Sequence, residues 1–329
     1  MDTSQPAVDV IIPSYNGWRL LRDCLDSLES QTYPACQITV IDDGSTDNTV
    51  ENIARDHPEV CVVRREKNGG FCRAVNTGIQ STRNEYVFLL NNDMTLDFEC
   101  IERLVKALRD APKECGVVGP LMLFRDAPSV IYGAGDRLCT NGRPESIGFR
   151  EKRADFVFDE KPFGISAGAA LYKRVVLEDV GPFDERFVAY FEDSDWNFRA
   201  RLYGYSVQVV PEAIVYHLGG ASLAGRMWWR SRQCFRNHAL LIMKNMPLPV
   251  VVRHAPAIIR ERIHQARRVF GASRIEFGAI NAFAVLVRAG LSLVIAMPHG
   301  YLERRRVQKR RTLSAGGLDA LLSRPHRRS

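Results

Sequence analysis

The chain contains eight cysteines, but none of them stands in a Cys-x-x-Cys pair or at a metal-binding spacing from a histidine. This scatter excludes the usual signatures of a zinc site and of a disulfide framework, and it favours a reducing compartment. The N-terminal residues lack both a positively charged segment and a cleavage site. We therefore predict no secretory signal peptide.

The sequence also lacks an uninterrupted apolar run of about 20 residues, which is the length needed to cross a bilayer. The nearest candidate, residues 282–298, is interrupted by Arg288. A spanning helix is therefore not expected. A helix that lies on a membrane surface remains compatible with this pattern.

Charge is distributed unevenly along the 329 residues. The hydrophobic fraction of 46% and the charged fraction of 25% are typical of a folded protein with one large domain and an appendage, or with two domains. From residue 224 onward there are 21 Lys and Arg against 4 Asp and Glu, a net charge of +17, and the preceding residues carry −10. Basic segments of this kind bind phosphates, either on an anionic membrane or on a nucleic acid.

Short apolar runs alternate with helical periodicities over the first 120 residues. This alternation predicts an α/β domain with a parallel sheet and right-handed crossovers. Residues 121–163 show weak periodicity and are predicted to be irregular, and two further short strands are predicted at 206–210 and 213–216. The strands predicted before them are residues 8–13, 37–41, 61–63, 86–90 and 117–120, and helices are predicted at 18–31, 50–54, 71–79 and 98–108.

The strand at residues 86–90 is apolar at every position and runs directly into Asn91, Asn92 and Asp93. A strand of this composition is buried on both faces, and ligands bind beyond the carboxyl ends of such strands. A carboxylate among amide oxygens suits a hard divalent cation that bridges phosphates. The alternative is that these three residues only form a turn.

Polar residues also follow the two preceding strands. Asp42 and Asp43 follow the second strand, and residues 68–70, Asn-Gly-Gly, follow the third. The glycines lack the spacing of a P-loop or of a dinucleotide fingerprint, so neither an ATPase nor an NAD enzyme is favoured.

Three acids, Glu192, Asp193 and Asp195, stand at the start of a predicted helix. Acids at this position complement the helix dipole, which is the structural explanation. The bulky side chains before them favour burial, which raises the pKa of a carboxyl group and suits it to act as a base. His217, at a strand end before a glycine pair, is a candidate metal or phosphate ligand or a structural histidine.

Together these residues resemble the inverting family 2 glycosyltransferases with the GT-A fold, over residues 9–222. Within that family the sequence is most similar to rhamnosyltransferases and relatives that build bacterial cell-surface polysaccharides. The resemblance implies a Rossmann-like, mainly parallel mixed sheet, a nucleotide-diphosphate sugar donor and a divalent cation, Mg²⁺ or Mn²⁺. The segments that carry it are residues 12–16 (IPSYN), 41–47 (IDDGSTD), 68–71 (NGGF) with Asn76 and Gly78, 92–93 (ND), 168–169 (GA) and 192–196 (EDSDW) with Arg199 and Gly204.

The resemblance also implies a role for each matching residue. Asp193 corresponds to the catalytic base, with Glu192 and Asp195 as orienting or acceptor-binding partners. Asp93 corresponds to the metal carboxylate, and His217 to a residue that completes the metal or diphosphate site. The residues that correspond to the nucleotide and diphosphate pocket are Pro13, Tyr15, Asn16, Asp42, Asp43, Asn68, Gly70, Arg73 and Asn92.

One position departs from the family pattern, because the first acid of the Asp-x-Asp metal motif is replaced by Asn91. One charge fewer weakens the expected binding of a cation. It also supports an alternative reading, a catalytically silent module whose basic tail binds a membrane or a nucleic acid. The enzyme reading is favoured because Asp93 and the Glu192-Asp193 pair are all present.

The sequence predicts three regions: a catalytic domain at 1–222, a basic amphipathic helical region at 223–311, and a disordered tail at 312–329. The middle region is expected to contact a membrane or a second copy of the chain, and no nucleic acid is expected as partner. These features predict a cytoplasmic protein, peripheral at the inner face of the cell membrane, with a glycan or lipid-linked acceptor. The sugar is left open among rhamnose, galactose and N-acetylglucosamine, and the base between uridine and deoxythymidine.

Overall fold

The structure is a computed structural model that describes residues 5–34, 36–219 and 227–325. These residues form two compact units. The first comprises residues 5–136, 146–188 and 205–219, and the second comprises residues 137–145, 189–204 and 227–325. The predicted domain boundary at 222–223 lies outside the described residues. The predicted catalytic acids at 192–195 therefore belong to the same unit as the C-terminal helices.

The first unit is built from strands that alternate with helices, as the sequence predicts. Its helices are α1 (Trp18–Glu29), α2 (Thr49–Asp56), α3 (Phe71–Ser81), α4 (Cys100–Asp110) and α5 (Arg174–Val180). Its strands are β1 (Val8–Ser14), β2 (Cys36–Asp42), β3 (Cys61–Arg64), β4 (Tyr86–Leu90), β5 (Met94–Leu96), β6 (Cys115–Phe124), β7 (Ala127–Gly133), β10 (Ala169–Lys173) and β11 (Ser206–His217). Between β7 and β10, β8 (Asp136–Leu138) and β9 (Pro144–Ser146) form a separate two-stranded hairpin.

The strands of the first unit form one mixed sheet in the order β3-β2-β1-β4-β10-β6-β11-β5, with β7 paired to β6. The pairs β1–β2, β1–β4, β2–β3 and β6–β11 are parallel. β10 is antiparallel to both of its neighbours, and β5 is antiparallel to β11. The carboxyl ends of β1, β2 and β4 consequently open on one edge of the sheet, where the polar residues that follow them are collected.

Amphipathic helices cover this sheet because their apolar residues recur at helical spacing. In α1 the buried side chains are Leu21, Cys24, Leu25 and Leu28, one face of the helix. Gly78 in α3 permits a close approach to β1, because a Cβ atom at this position would lie 2.3 Å from Cγ2 of Ile11. A side chain here would therefore push α3 away from the sheet.

A buried ion pair ties α5 to the start of β1. Asp9 is inaccessible, and its Oδ2 accepts a hydrogen bond of 2.8 Å from Nη2 of Arg174. The same carboxylate accepts bonds from the backbone and side-chain amides of Asn84, and the guanidinium also donates to the Asn84 carbonyl. Because its donors and acceptors are paired, the charge is tolerated in the interior.

Two predictions about local structure were wrong. Residues 121–163 contain the end of β6, all of β7 and the β8–β9 hairpin, so much of this segment is regular. The two short strands predicted at 206–210 and 213–216 form the single strand β11, with an irregularity in its pairing to β6 between Val210 and Ile214. Pro211 and Glu212 fall within that irregularity, and the proline explains why the pattern suggested a break.

The second unit is mainly helical. Its long elements are α6 (Glu192–Leu202), α7 (Met227–Asn245) and α8 (Leu248–Arg310), followed by the short α9 (Ala315–Ala320). α8 is broken at Gly278, whose φ of 77° and ψ of 170° are not helical. Among the described residues, α8 is the one helix that is long and apolar enough to cross a membrane by length and composition, although Arg288 disfavoured this from sequence.

The sequence predicts disorder from residue 312, whereas the structure has α9 in this stretch. Ser314 caps α9, because its Oγ accepts a hydrogen bond of 2.9 Å from the Gly317 amide. Asp319 bonds to both Arg253 and His254 of α8, at 2.5 Å each, and Leu318 is fully buried. These contacts explain the order, and none of them is visible in the local composition.

Candidate active site

The loop after β1 is joined to the loop after β2 by Asn16. Its backbone N–H donates to Oγ of Ser45 at 2.9 Å, and its Oδ1 accepts from the Thr46 amide at 2.8 Å. Asn16 adopts a φ of 48°, which asparagine tolerates better than most residues. Of its predicted neighbours in the nucleotide pocket, Pro13 is half-buried and Tyr15 is 46% exposed. An exposed aromatic ring at this edge is available to stack on a base.

Asp43 organises the loop that precedes α3. Its carboxylate accepts bonds from Nη1 of Arg65 at 2.5 Å and from the amides of Gly69 and Gly70 at 2.9–3.1 Å. Gly70 supplies its amide with a φ of 86°, a conformation that glycine adopts without strain. Both carboxylate oxygens of Asp43 are thus already engaged by the protein.

Asp42, in contrast, accepts fewer hydrogen bonds from the protein. It is fully buried, and its Oδ1 accepts from the Ser45 amide at 3.2 Å. Its Oδ2 has no hydrogen-bond partner among the described residues and lies 3.4 Å from Nε of Arg64. Of the two predicted nucleotide-binding carboxylates, Asp42 is therefore the one with an oxygen that accepts no hydrogen bond, and that oxygen faces the Arg64 guanidinium.

The remaining predicted contacts to the nucleotide or its diphosphate lie in the same unit. Asn68 caps the turn, because its Oδ1 accepts from the Gly70 amide at 3.1 Å. Arg73 pairs with Glu185 at 2.9 Å and is half exposed, so its guanidinium is held at the surface. Asn92 donates from Nδ2 to Oγ of Ser14 at 3.2 Å.

Asp93 and His217 are brought together by strand pairing. Asp93 precedes β5, and in the antiparallel β5–β11 ladder Met94 lies opposite His217. Nε2 of His217 is 3.2 Å from Oδ2 of Asp93, and both residues are buried. The Tyr132 ring packs edge-on against the imidazole, with centroids 4.2 Å apart. Asp93 and His217, which are 124 residues apart in the sequence and were both candidates for the metal site, thus lie side by side.

This pair has unsatisfied polar atoms. Asp93 Oδ1 and His217 Nδ1 are buried and have no hydrogen-bond partner in the described part of the chain. Buried polar atoms are rarely left unpaired, so these two atoms are available to a water molecule, a ligand or an ion. A carboxylate oxygen suits both Mn²⁺ and Mg²⁺, and an imidazole nitrogen beside it is accepted more readily by Mn²⁺ than by the harder Mg²⁺. The residues present therefore fit a divalent cation.

A second cluster of potential metal ligands involves Asp26, Glu29 and His57. Nδ1 of His57 lies 2.5 Å from Oε1 of Glu29, and Nε2 lies 3.6 Å from Oδ1 of Asp26. The two ring nitrogens thus face different carboxylates. This arrangement is explained by ion pairing between α1 and the end of α2.

In the second unit, the predicted catalytic acids follow a strained segment of backbone. Tyr190 and Phe191 have φ values of 67° and 71°, in the left-handed region that residues with large side chains rarely adopt. The buried Nδ2 of Asn237 donates to the carbonyls of Ala189 and Tyr190 at 3.0 and 2.8 Å. Strain of this kind is typical of functional segments, and α7 holds it in place here.

The first two acids of α6 have different environments. Burial, and then the charge of Asp193, raise the pKa of Glu192 to about 8. Its Oε2 has no hydrogen-bond partner among the described residues. Asp193 is half-buried, and its Oδ1 accepts from the Ser194 amide at 2.6 Å. A carboxyl group with a raised pKa beside a second carboxyl group is an arrangement that allows separate acid and base roles.

Asp195 is inaccessible and forms the centre of a buried ionic network. Its Oδ2 accepts from Nε of Arg199 at 3.0 Å and from Nζ of Lys244 at 2.8 Å, and its Oδ1 accepts from Nδ2 of Asn245 at 2.8 Å. Of the two roles predicted for Asp195, this arrangement favours orienting over acceptor binding. Sequence reasoning missed Lys244 and Asn237, although a lysine within the apolar run 240–246 is a signal of a buried charge pair.

The comparison with protein-family models decides the family. The model described as "Glycosyl transferase family 2" matches residues 9–181, slightly more than half of the chain. The chain belongs to glycosyl transferase family 2. The family match extends from β1 to the start of the turn after α5, so it includes Asp93 and ends before Asp193 and His217.

Curated relatives of this family 2 chain include a bacterial polysaccharide synthase and a bacterial glycosyltransferase by name. The poly-β-1,6-N-acetyl-D-glucosamine synthase of Staphylococcus epidermidis is 26% identical over 246 residues, which cover 73% of this chain and 57% of that protein. The glycosyltransferase GlyG of Streptococcus pneumoniae serotype 4 is 32% identical over 161 residues, or 47% of this chain and 53% of GlyG. The chain thus spans somewhat more than half of the length of these relatives.

Solved structures show that the family 2 chain has the GT-A fold. The mannosyltransferase PcManGT from Pyrobaculum calidifontis, in complex with GDP-Man and Mn²⁺, matches with a TM-score of 0.55 at 20% identity and covers 94% of this chain and 86% of that one. S. aureus TarS 1-349 matches with a TM-score of 0.52 at 17% identity, over 92% and 90% of the two chains. The predicted mixed sheet with a C-terminal helical extension is confirmed.

Proposed function

We propose that this protein is an inverting glycosyltransferase that moves a hexose from a nucleotide-diphosphate donor to a hydroxyl group in cell-surface polysaccharide synthesis. The observation that carries the proposal is the pair of buried side chains, Asp93 and His217, each with an unpaired polar atom at the end of the sheet. Membership of family 2 supports it independently.

Asp93 and His217 would hold the divalent cation, and Asp43, with Asp42 nearby, would lie against the base or ribose. When bound, the cation supplies positive charge that neutralises the diphosphate as it leaves. Asn91 contributes no charge, so the carboxylate of Asp93 would supply the negative charge that binds the cation. Tyr15 is exposed beside the β1 and β2 loops and would stack on the base.

Asp193 would act as the base that removes the proton from the acceptor hydroxyl. An inverting displacement needs one such base and no carboxylate nucleophile. The raised pKa of Glu192, about 8, makes this group a poor candidate for the base at neutral pH and separates its role from that of Asp193. This division favours Asp193 over Glu192 in the role of base.

The donor sugar follows from the resemblance to rhamnosyltransferases, so deoxythymidine-diphosphate rhamnose is the first donor to test. The names of relatives and fold neighbours add N-acetylglucosamine, GDP-mannose and UDP with N-acetylgalactosamine. The acceptor would be a glycan or lipid-linked glycan at the inner face of the cell membrane. The basic charge of +17 from residue 224 onward supports this location.

Two variants test the assignment of roles. Asp93→Asn should weaken Mn²⁺-dependent nucleotide binding about tenfold or more, measured by titration calorimetry, because it removes the carboxylate that would hold the cation. Asp193→Asn should leave nucleotide binding intact while transfer from the active donor falls by about 10²–10⁴. Asp110→Asn, exposed at the end of α4, is the matched control and should change neither quantity.

Retained turnover in Asp193→Asn would show that another group is the base. Absence of turnover with every donor, combined with salt-sensitive binding of the chain to RNA, would instead support the catalytically silent module.

A further inference from the structure

The C-terminal half of α8 returns along α7. Before the break at Gly278, Arg262 stacks on the Phe235 ring at 3.7 Å and Phe277 contacts Trp228. The N-terminal half of α8 therefore runs antiparallel to α7. After the break, Arg304 donates to the Met243 carbonyl at 2.9 Å, at the opposite end of α7. Residues 279–310, here called the return helix, therefore reverse direction at Gly278.

The return helix has two opposite faces. Ala282, Ala289, Gly300 and Val307 are buried, and a Cβ atom on Gly300 would lie within 2.2 Å of Met243. Half a helical turn away, at spacings of three and four residues, large apolar side chains are exposed. This apolar stripe consists of Ile280 (87% exposed), Phe283 (63%), Val287 (44%), Leu291 (56%), Val294 (59%) and Ile295 (80%).

The apolar stripe is too large to be ordinary surface. From Ile280 to Ile295 it extends about 22 Å along the helix axis, at 1.5 Å per residue. Only 11% of the most apolar 18-residue window of α8 is buried. A continuous apolar surface of this length marks a binding site for a protein or a membrane.

The charges beside the apolar stripe indicate which kind of partner it binds. Residues 277–302 contain no Asp or Glu, Arg288 is exposed beside the stripe, and Arg305 and Lys309 continue its line. An apolar face bordered by exposed cations is complementary to the interface of an anionic bilayer, where long basic side chains reach the headgroups. A second copy of the chain would present the same stripe and the same cations, so it offers no negative charge.

We propose that the apolar stripe of the return helix is immersed in one leaflet of an anionic membrane, with Arg288, Arg305 and Lys309 at the headgroups. The opposite face of the return helix packs within the protein, so the helix lies along the membrane surface and does not span it. This inference rests on the proposed function in one respect. Binding to a membrane would bring the enzyme to a lipid-linked acceptor.

Vesicle flotation of the full chain tests the proposal. Wild-type protein should bind vesicles of phosphatidylcholine with about 30% phosphatidylglycerol, and more weakly vesicles of phosphatidylcholine alone. Raising the salt from about 0.1 to about 0.5 M should weaken binding to the anionic vesicles. Ile280→Ser/Ile295→Ser should lower the apparent affinity at least about tenfold. The matched control is Val157→Ser/Val175→Ser, two side chains of the first unit that are 69% and 68% exposed.

Equal binding of the two double variants would overturn the proposal, as would a wild-type chain that floats with neither vesicle. Sedimentation equilibrium gives the competing outcome: a wild-type dimer that Ile280→Ser/Ile295→Ser dissociates, without any change in vesicle affinity, would assign the stripe to a second copy. Flotation requires no donor or turnover. Failure of the proposed glycosyl transfer would therefore leave the vesicle result unaffected, and vice versa.

Discussion

Asp195→Asn should destabilise the second unit strongly. The substitution preserves the shape of the side chain and its bond to Asn245, but it removes the negative charge that Arg199 and Lys244 both contact. All of these side chains are at most 5% exposed. Two buried cations therefore lose the carboxylate that they share.

The expected cost is about 3 kcal/mol, the lower end of the range for breaking a buried ion pair by removing one partner. The lower end applies because the asparagine oxygen still accepts one hydrogen bond. Adding Lys244→Met should change the outcome, since it removes a cation together with its desolvation cost. The double variant should lose no more than Asp195→Asn alone, which means that the two effects are not additive.

Urea unfolding followed by tryptophan fluorescence measures this effect. Three of the four tryptophans, Trp196, Trp228 and Trp229, belong to the second unit, so the signal reports mainly on it. Glu276→Gln, which removes an exposed carboxylate from α8, is the matched control and should shift the midpoint little. An Asp195→Asn variant with an unchanged urea midpoint would refute the reasoning, because the two buried cations would then not depend on this carboxylate.

Two further predictions concern the start of α6. Ionisation of Glu192 opposes folding, because its pKa is raised from 4.5 to about 8 in the folded state. The free energy of unfolding is therefore highest with this group protonated at low pH, and it falls as the pH rises through about 8. Glu192→Gln lacks this loss, so its urea midpoint should exceed that of the wild type increasingly from pH 5 to 9, and a constant difference would contradict the raised pKa. Asn237→Ala removes the bonds that hold the strained Tyr190, so kcat should fall about tenfold or more with the donor KM little changed; equal losses in nucleotide binding would argue for general unfolding instead.

Much of the first unit was predictable because its signals are local. The fully apolar run 86–90 followed by Asp93 identifies a buried strand and the residue at its end. The side chain at position 217 was identified as a candidate from its place at a strand end. Its proximity to Asp93 depends on the three-residue strand β5, which is too short to have a recognisable period.

Non-local pairing explains what sequence reasoning missed in the rest of the site. Lys244 contacts α6 across 49 residues, Asn237 contacts the segment just before α6 across 47–48 residues, and no periodicity links such positions. Asp42 and Asp43 look equivalent in the sequence, but their carboxylates accept different hydrogen bonds in the structure. The backbone amides of the Gly69–Gly70 turn donate to Asp43, whereas Oδ2 of Asp42 accepts no hydrogen bond and faces Arg64.

Contacts within the second unit connect the C-terminal helices to the segment of the predicted catalytic acids. The sequence separates a catalytic domain from a basic helical region, yet α6 packs with α7, and α7 supplies Asn237, Lys244 and Asn245 to the segment that carries Glu192 and Asp193. α7 also contacts the return helix through Met243. A membrane-bound return helix would therefore share its supporting helix with the proposed base, so substitutions in α7 should affect both transfer and vesicle binding, whereas substitutions in the exposed stripe should affect vesicle binding alone.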